Sequence, residues 1–270
     1  MISPDAWTHN VITAVAAHEG TYSACNPNKD GAGLSFGILQ WTQRSGSLGH
    51  LLAAMHARDP GAVGTCLGEH ARAVIDACLS GELAAIDGCV LWKEPWLSRF
   101  GALGQHRGLQ GVQLALAGTG THMAGAVDVA RVLGATTERA LAVAFDRSVN
   151  QGPAGALTVA RRVAGLYSAD PDKRPALAAD VAAQFAWACA ARFRAERQAP
   201  VKGDWRQVDE EYSELRTGDY HVSRRPVTLA TWHRFAGPWS LFDIVTRRSS
   251  RLLLSRSLSD EEADLSRWPQ

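Results

Sequence analysis

A mostly helical fold, α+β with one small β element, is predicted by three features of the sequence. Apolar residues recur at three- and four-residue spacing along most of the 270 residues, whereas the strict alternation of a half-buried strand is rare. Helical periodicity is lost from Tyr22 to Phe36, where Asn26-Pro27-Asn28 and Asp30-Gly31 are turn formers, so a loop or a short irregular hairpin is expected there. Hydrophobic residues make up 46% of the chain, enough for a packed core at this length.

Ser3-Pro4-Asp5 opens the first helix, with Ser3 as N-cap and Pro4 at the first helical position. Trp7, Val11, Ile12 and Val15 then form an apolar stripe, and Gly20 stops the helix. Glu19 falls in its last turn, at the negative end of the helix dipole, which favours the protonated acid. Ile38, Leu39 and Trp41 bring the chain back toward the core. A second helix begins after Ser45-Gly46-Ser47 with Leu48, Leu51, Leu52 and Met55. Further helices are expected near residues 67–80, 106–117, 122–133, 136–149, 154–167 and 174–197, the last with a stripe of Leu177, Val181, Phe185 and Cys189. Residues 200–226 are polar and read as a connecting segment within a single domain spanning residues 1–270. Trp232, Phe235, Trp239, Leu241 and Phe242 follow and must pack somewhere.

Net charge is +1, with 28 basic against 27 acidic residues spread along the chain, so no bulk field favours nucleic acid or an anionic membrane as partner. The charge-free gap between Arg107 and Asp128 is about as long as a membrane span. Gln110, Gln113, His122 and several glycines make it too polar for hydrocarbon, and two helices joined at Gly118-Thr119-Gly120 are expected instead. The five cysteines are scattered, with no CxxC pair, which favours reduced and mostly buried thiols. No second histidine follows His18-Glu19 at zinc-protease spacing. The glycines after residue 30 miss the dinucleotide-binding pattern, and no Gly-x-Ser-x-Gly elbow occurs. No metal or organic cofactor is expected.

Glycosidic bond hydrolysis needs a protonated acid beside the leaving oxygen and a second carboxylate in a different environment. Glu19, at a helix end, and Asp30, in a polar glycine-rich loop, fit that division. The Ser35 hydroxyl is suited to holding a water near Asp30. Singly, a glutamate near a helix end is usually a surface residue, and an aspartate before glycine is usually a turn. The ordered combination is the specific signal.

Glu19-Gly20-x-Tyr22, followed by Asp30-Gly-Ala-Gly-Leu-Ser35-Phe-Gly-Ile-Leu-Gln40, resembles the catalytic segment of the lysozyme superfamily. It is similar to phage-type lysozymes in its Glu-Gly at a helix end, its aspartate in the next hairpin and its hydroxyl residue before Gly-Ile. It also resembles the Asp-Gly-Arg-Gly-(aromatic)-Thr-x-Gly-Ile segment of the chitosanases of glycoside hydrolase family 46. Weaker similarity extends to Phe145-Asp146-Arg147-Ser148-Val149-Asn150-Gln151-Gly152 and to the helix around Phe185 and Arg192. Three departures separate this chain from chitosanases. Asp30 follows Glu19 by eleven positions, which is nearer the phage-lysozyme interval; Ala32 replaces an arginine; and Gln151 replaces a histidine.

The resemblance implies a lysozyme-like α+β fold of two helical lobes around a cleft. Glu19 would be the general acid, Asp30 the general base, and Ser35 the residue that helps place the water. Tyr22, Gln40 and Trp41 are candidate sugar contacts, although Trp41 beside Ile38 and Leu39 also suits the core. Asn150 and Gln151 are candidate cleft residues or helix-end caps. Asp146 is expected to be a structural partner for an arginine such as Arg192.

The function expected is an endo-acting hydrolase of β-1,4 amino-sugar polymers, with peptidoglycan ahead of chitosan because a cationic polymer would prefer an acidic surplus that this chain lacks. A lytic transglycosylase and a non-catalytic glycan-binding protein of lysozyme shape are the rivals. MISPDAWTHN has neither the basic start nor the apolar run of a signal peptide. Action in the periplasm or at the cell wall would then follow phage lysis or delivery by a secretion system, or ordinary secretion if the chain is a trimmed piece. An injected antibacterial toxin would require an immunity protein as partner.

Overall fold

A computed structural model describes residues 1–28, 31–197, 228–230 and 244–268. It is mostly helical, with one small three-stranded antiparallel sheet. The chain divides into two compact units, one of residues 1–15 with 120–270 and the other of residues 16–119. The expected connecting segment 200–226 and the apolar residues Trp232 to Phe242 lie outside the described residues.

In the unit of residues 16–119, strands β1 (Cys25–Pro27) and β2 (Leu34–Phe36) form the expected short hairpin, and β3 (Trp41–Thr42) adds a third strand. The central strand pairs Cys25 with Phe36 and Pro27 with Leu34 on one side, and Phe36 with Trp41 on the other. Helices α2 (Ser47–Arg58), α3 (Pro60–Leu67), α4 (Ala71–Ser80), α5 (Trp96–Gln105) and α6 (Arg107–Thr119) complete the unit. Leu34 and Phe36 of β2 join Leu48, Leu51, Leu52 and Met55 of α2 in one buried core. Phe36 meets the Phe100 ring edge-on at 5.3 Å. A Cβ on Gly49 would lie 2.2 Å from the Leu79 nitrogen, so α2 and α4 touch backbone to backbone.

Helices α3 and α5 are not expected from apolar periodicity. Two glycines in each weaken the helical signal. The start of α3 is capped: the Asp59 carboxylate accepts from the Ala62 nitrogen at 2.8 Å with Pro60 in the first turn.

The other unit contains α7 (Thr121–Leu133), α8 (Glu138–Gln151), α9 (Pro153–Ala169), α10 (Ala178–Arg197) and α11 (Ile244–Leu253). It also takes α1 (Pro4–Glu19) as far as Val15. The stripe of α1 is as expected, with Trp7, Val11, Ile12 and Val15 buried. Helix α8 is buried from Glu138 through Ser148, and α10 from Val181 through Ala190. Leu177 is the exception to the expected α10 stripe: it precedes the helix and is 65% exposed.

Helices buried on every side have no solvent face for charge, so their ionised groups must find partners inside. Arg139 is bonded on all sides: Nε to Asp260 Oδ1 at 2.8 Å, Nη1 to the Leu253 and Ser255 carbonyls at 2.9 and 2.7 Å, and Nη2 to the Leu258 carbonyl at 2.7 Å. It therefore caps the C-terminal carbonyls of α11. Glu138 accepts from Asn10 Nδ2 and from the Ser259 nitrogen, both at 2.7 Å. Trp7 Nε1 donates to the Asp264 carbonyl at 2.9 Å, and the Trp7 and Trp268 rings lie 4.8 Å apart.

Deeper in α8, Asp146 is fully buried between two arginines. Arg147 Nε donates to Oδ2 at 2.8 Å and Arg248 Nε to Oδ1 at 2.7 Å, and the Nη2 of each donates to the same oxygen. The partners are thus Arg147 and Arg248 and not Arg192, whose Nη1 donates to the Gly155 carbonyl at 2.8 Å. Asp146 and Arg248 come from two different helices, a long-range pairing that local sequence does not reveal.

Burial pushes the Asp146 carboxyl up, but the Arg147 and Arg248 charges and their hydrogen bonds outweigh it and hold it below the ordinary value of 3.8. A depressed folded value stabilises the fold above 3.8 and loses that contribution as pH falls through the folded value. Asp146→Asn should cost about 3–5 kcal/mol, because two interior arginines lose their counter-charge. It should also flatten the acid limb of the stability curve; denaturant midpoints from about pH 2 to pH 6 would measure both effects. Arg139→Met should release residues 255–268 to limited proteolysis at a concentration that leaves the wild type intact, because four carbonyl and carboxylate partners lose their donor.

Candidate functional site

The segment singled out by its motif begins where α1 ends. Glu19 is the last helical residue; its side chain, and all of Asp30, lie outside the described residues. Gly20 closes the helix by donating to the Ala16 carbonyl at 3.0 Å. Its φ of +155°, with a Cβ that would lie 2.6 Å from that of Ala24, admits only glycine. The chain then turns, Ala24 donating to the Thr21 carbonyl at 3.0 Å, and enters β1.

Ser35 sits at the middle of the central strand and is 6% exposed. Its register partners are Asn26 on one side and Thr42 on the other. Because Leu34 and Phe36 enter the core, the alternation of the strand places Asn26, Ser35 and Thr42 in one polar row on the opposite face. Sequence reasoning found Ser35 but missed its two neighbours, since register across three short strands is set by turns and not by local pattern. Thr42 Oγ1 continues the row into Ser45 Oγ at 2.6 Å and then Ser47 Oγ, 2.8 Å further on.

Three glutamines hold this segment. Gln40, in a left-handed turn at φ +52°, donates its side-chain amide to the Gly37 carbonyl at 2.9 Å and the Ala24 carbonyl at 3.4 Å. Gln43 is fully buried, accepting from the Leu34 nitrogen at 3.2 Å and donating to the Glu82 carbonyl at 2.6 Å. Gln113 reaches in from α6, donating to the Tyr22 carbonyl at 2.9 Å and accepting from the Ile38 nitrogen at 3.0 Å. A Cβ on Gly33 would strike Leu83 and Gln43 at 2.6 and 2.7 Å, so that glycine serves internal packing. Gly31 has open space around it.

Tyr22 is half-buried, which pushes its phenol up. Trp41 is also half-buried and packs on the core, with a ring carbon that would lie 3.1 Å from a Cβ on Gly37. Tyr22, Ser35, Gln40 and Trp41 therefore share one unit. Asn150 and Gln151 belong to the other unit, at the end of α8. There Asn150 Nδ2 donates to the Asp146 carbonyl at 2.8 Å and Gln151 Nε2 to the Cys189 carbonyl at 3.3 Å.

All five cysteines are free thiols. Burial pushes Cys25 up to about 11, with the Glu94 charge adding to it. Among the described residues, no group of three or more His, Cys, Asp and Glu side chains is placed to hold a metal. A mostly apolar cavity of about 440 Å³ lies between α2 and α6, lined by Ala54, Arg58, Gly111, Val112, Ala115 and Leu116. It includes no residue of the motif segment.

Gln43→Ala should leave the Leu34 nitrogen and the Glu82 carbonyl unpaired, at a cost of about 1–3 kcal/mol. Chemical unfolding followed by far-ultraviolet circular dichroism measures it, and a loss below about 0.5 kcal/mol would show the contacts to be replaceable. No family model, curated protein or solved structure matches the chain.

Proposed function

We propose that this chain is an endo-acting glycoside hydrolase that cuts β-1,4-linked amino-sugar polymers, with peptidoglycan as substrate. Glu19 gives its proton to the leaving glycosidic oxygen. Asp30 takes a proton from a water molecule, which attacks the anomeric carbon from the far face of the sugar and inverts it. Ser35 holds that water, and the polar row of Asn26, Ser35 and Thr42 meets sugar hydroxyls.

One observation carries the reading. The motif's glutamate is the last residue of a helix, and its hydroxyl residue lies on the central strand of the small sheet that follows. That arrangement offers a general acid at a helix end and a polar strand face for water and sugar. The single net positive charge favours peptidoglycan over a cationic glucosamine polymer. The Asp30-Gly-x-Gly-x-Ser35 run favours chitosan as the second substrate to try.

Purified peptidoglycan and chitosan, digested side by side and analysed by mass spectrometry, test the proposal. Peptidoglycan should yield hydrated muramic ends, and Glu19→Gln and Asp30→Asn should each lower kcat by about 10²–10⁴ while glycan binding persists. Anhydromuramic ends would replace hydrolysis by a transglycosylase reaction. Cleavage of chitosan alone would reassign the substrate, and cleavage of neither polymer would overturn the enzymatic reading.

A further inference from the structure

We propose that Gln113 is a positioning residue for the site, its buried amide fixing the distance between the chain after Glu19 and the chain after Ser35; this rests on the hydrolase reading above. Gln113 is 0% exposed and lies on α6 between the buried Leu109 and Ala117. An interior position of this kind normally takes an aliphatic side chain, and an amide there is costly unless both its ends are bonded.

Both ends are bonded, and to different segments. The Nε2 donor meets the Tyr22 carbonyl at 2.9 Å, three residues past Glu19. The Oε1 acceptor meets the Ile38 nitrogen at 3.0 Å, three residues past Ser35. The two segments are also joined directly, Gly37 donating to the Ala24 carbonyl at 2.9 Å. The approach is tight on both sides of the clamp. A Cβ on Gly37 would lie 2.4 Å from Gln113 Oε1, and a Cβ on Gly104 of α5 would lie 2.3 Å from the Tyr22 carbonyl oxygen. The Tyr22 carbonyl is thus held between a helix backbone and one amide donor.

Only a group with one donor and one acceptor at that reach satisfies both contacts. A glutamine does so at every pH. A glutamate in its place does so only as the neutral acid, whose O–H can donate to the Tyr22 carbonyl while its other oxygen accepts from the Ile38 nitrogen. Ionised, it loses the donor and repels the carbonyl. Acid–base catalysis tolerates displacements of only about 0.5 Å in its groups. Releasing the clamp should therefore affect turnover before it affects binding.

Gln113→Met and Gln113→Glu, each in the full chain, make the test. Gln113→Met should lower kcat on peptidoglycan by about 10–100-fold with KM changed less than about twofold, and amide hydrogen exchange should rise in peptides covering residues 20–41 only. Gln113→Glu should resemble Gln113→Met at neutral pH and recover wild-type exchange protection over residues 20–41 as pH falls, each comparison made with the wild type at the same pH. Wild-type kcat and exchange in Gln113→Met would overturn the proposal. Exchange raised across the whole of residues 16–119 would also overturn it, by making Gln113 a prop for the fold. If the wild type cleaves neither polymer, the hydrolase reading fails by itself, and the exchange measurements still decide whether the clamp exists.

Discussion

The unit of residues 16–119 depends on satisfying the backbone of a sheet too short to satisfy itself. Strands of three, three and two residues make a short ladder, and backbone bonds such as Gly37 to Ala24 and Gln43 to Leu34 cover only part of the flanking N–H and C=O groups. In a helical surround these groups would be buried and unpaired. Side-chain amides supply the bonds that remain, Gln43 to Leu34 and Gln113 to Tyr22 and Ile38, while Gln40 adds a second donor to the Gly37 and Ala24 carbonyls. Each carries a donor and an acceptor without charge, so each can be buried without the penalty an ionised group would incur. The polar face containing Ser35 exists because that substitution succeeds.

The other unit solves the same problem with charge. Helix α8 is buried along most of its length, yet contains Glu138, Arg139, Asp146 and Arg147. Glu138 and Arg139 turn outward in chemistry though not in position: they bind the segment that follows α11 through its own backbone groups. Asp146 instead bridges Arg147 and Arg248, one carboxylate oxygen to each. Burial raises the thiol of Cys189 on α10 to about 12, with Arg147 and Arg192 pulling it down and Asp146 pushing it up. Desolvation offsets much of the attraction in buried ion pairs of this kind, whereas removing one partner leaves an uncompensated charge.

Much of this was legible in the sequence. The stripe from Trp7 to Val15, the stop at Gly20 and the helix from Leu48 to Met55 follow from spacing and caps alone, and stand as expected. Helices α3 and α5 were hidden because two glycines in each weaken helical propensity, although Gly104 of α5 permits a close approach to the Tyr22 carbonyl. The hairpin was legible from its turn formers, but the third strand was not, because period-two alternation cannot be recognised in two residues. Of the candidate site residues, Ser35 could be placed by motif. The partners that support it, Gln43 and Gln113, are separated from it by turns and helices, and an interior glutamine looks no different in sequence from a surface one. Arg248 was missed as the partner of Asp146 for the same reason of distance along the chain.

The chemistry open to the motif segment narrows when its titratable groups are compared. Burial pushes the Tyr22 phenol further from neutrality, and the Cys25 thiol is raised to about 11, so neither ionises readily near pH 7. A serine hydroxyl is a weak nucleophile unless a base activates it, and the Ser35 neighbours across the sheet are Asn26 and Thr42, neither of which can serve as that base. What remains between residues 18 and 42 with a side chain suited to proton transfer near neutral pH is His18, Glu19 and Asp30. A reaction that needs only a proton donor, a proton acceptor and a held water fits that short set, and glycosidic hydrolysis is such a reaction.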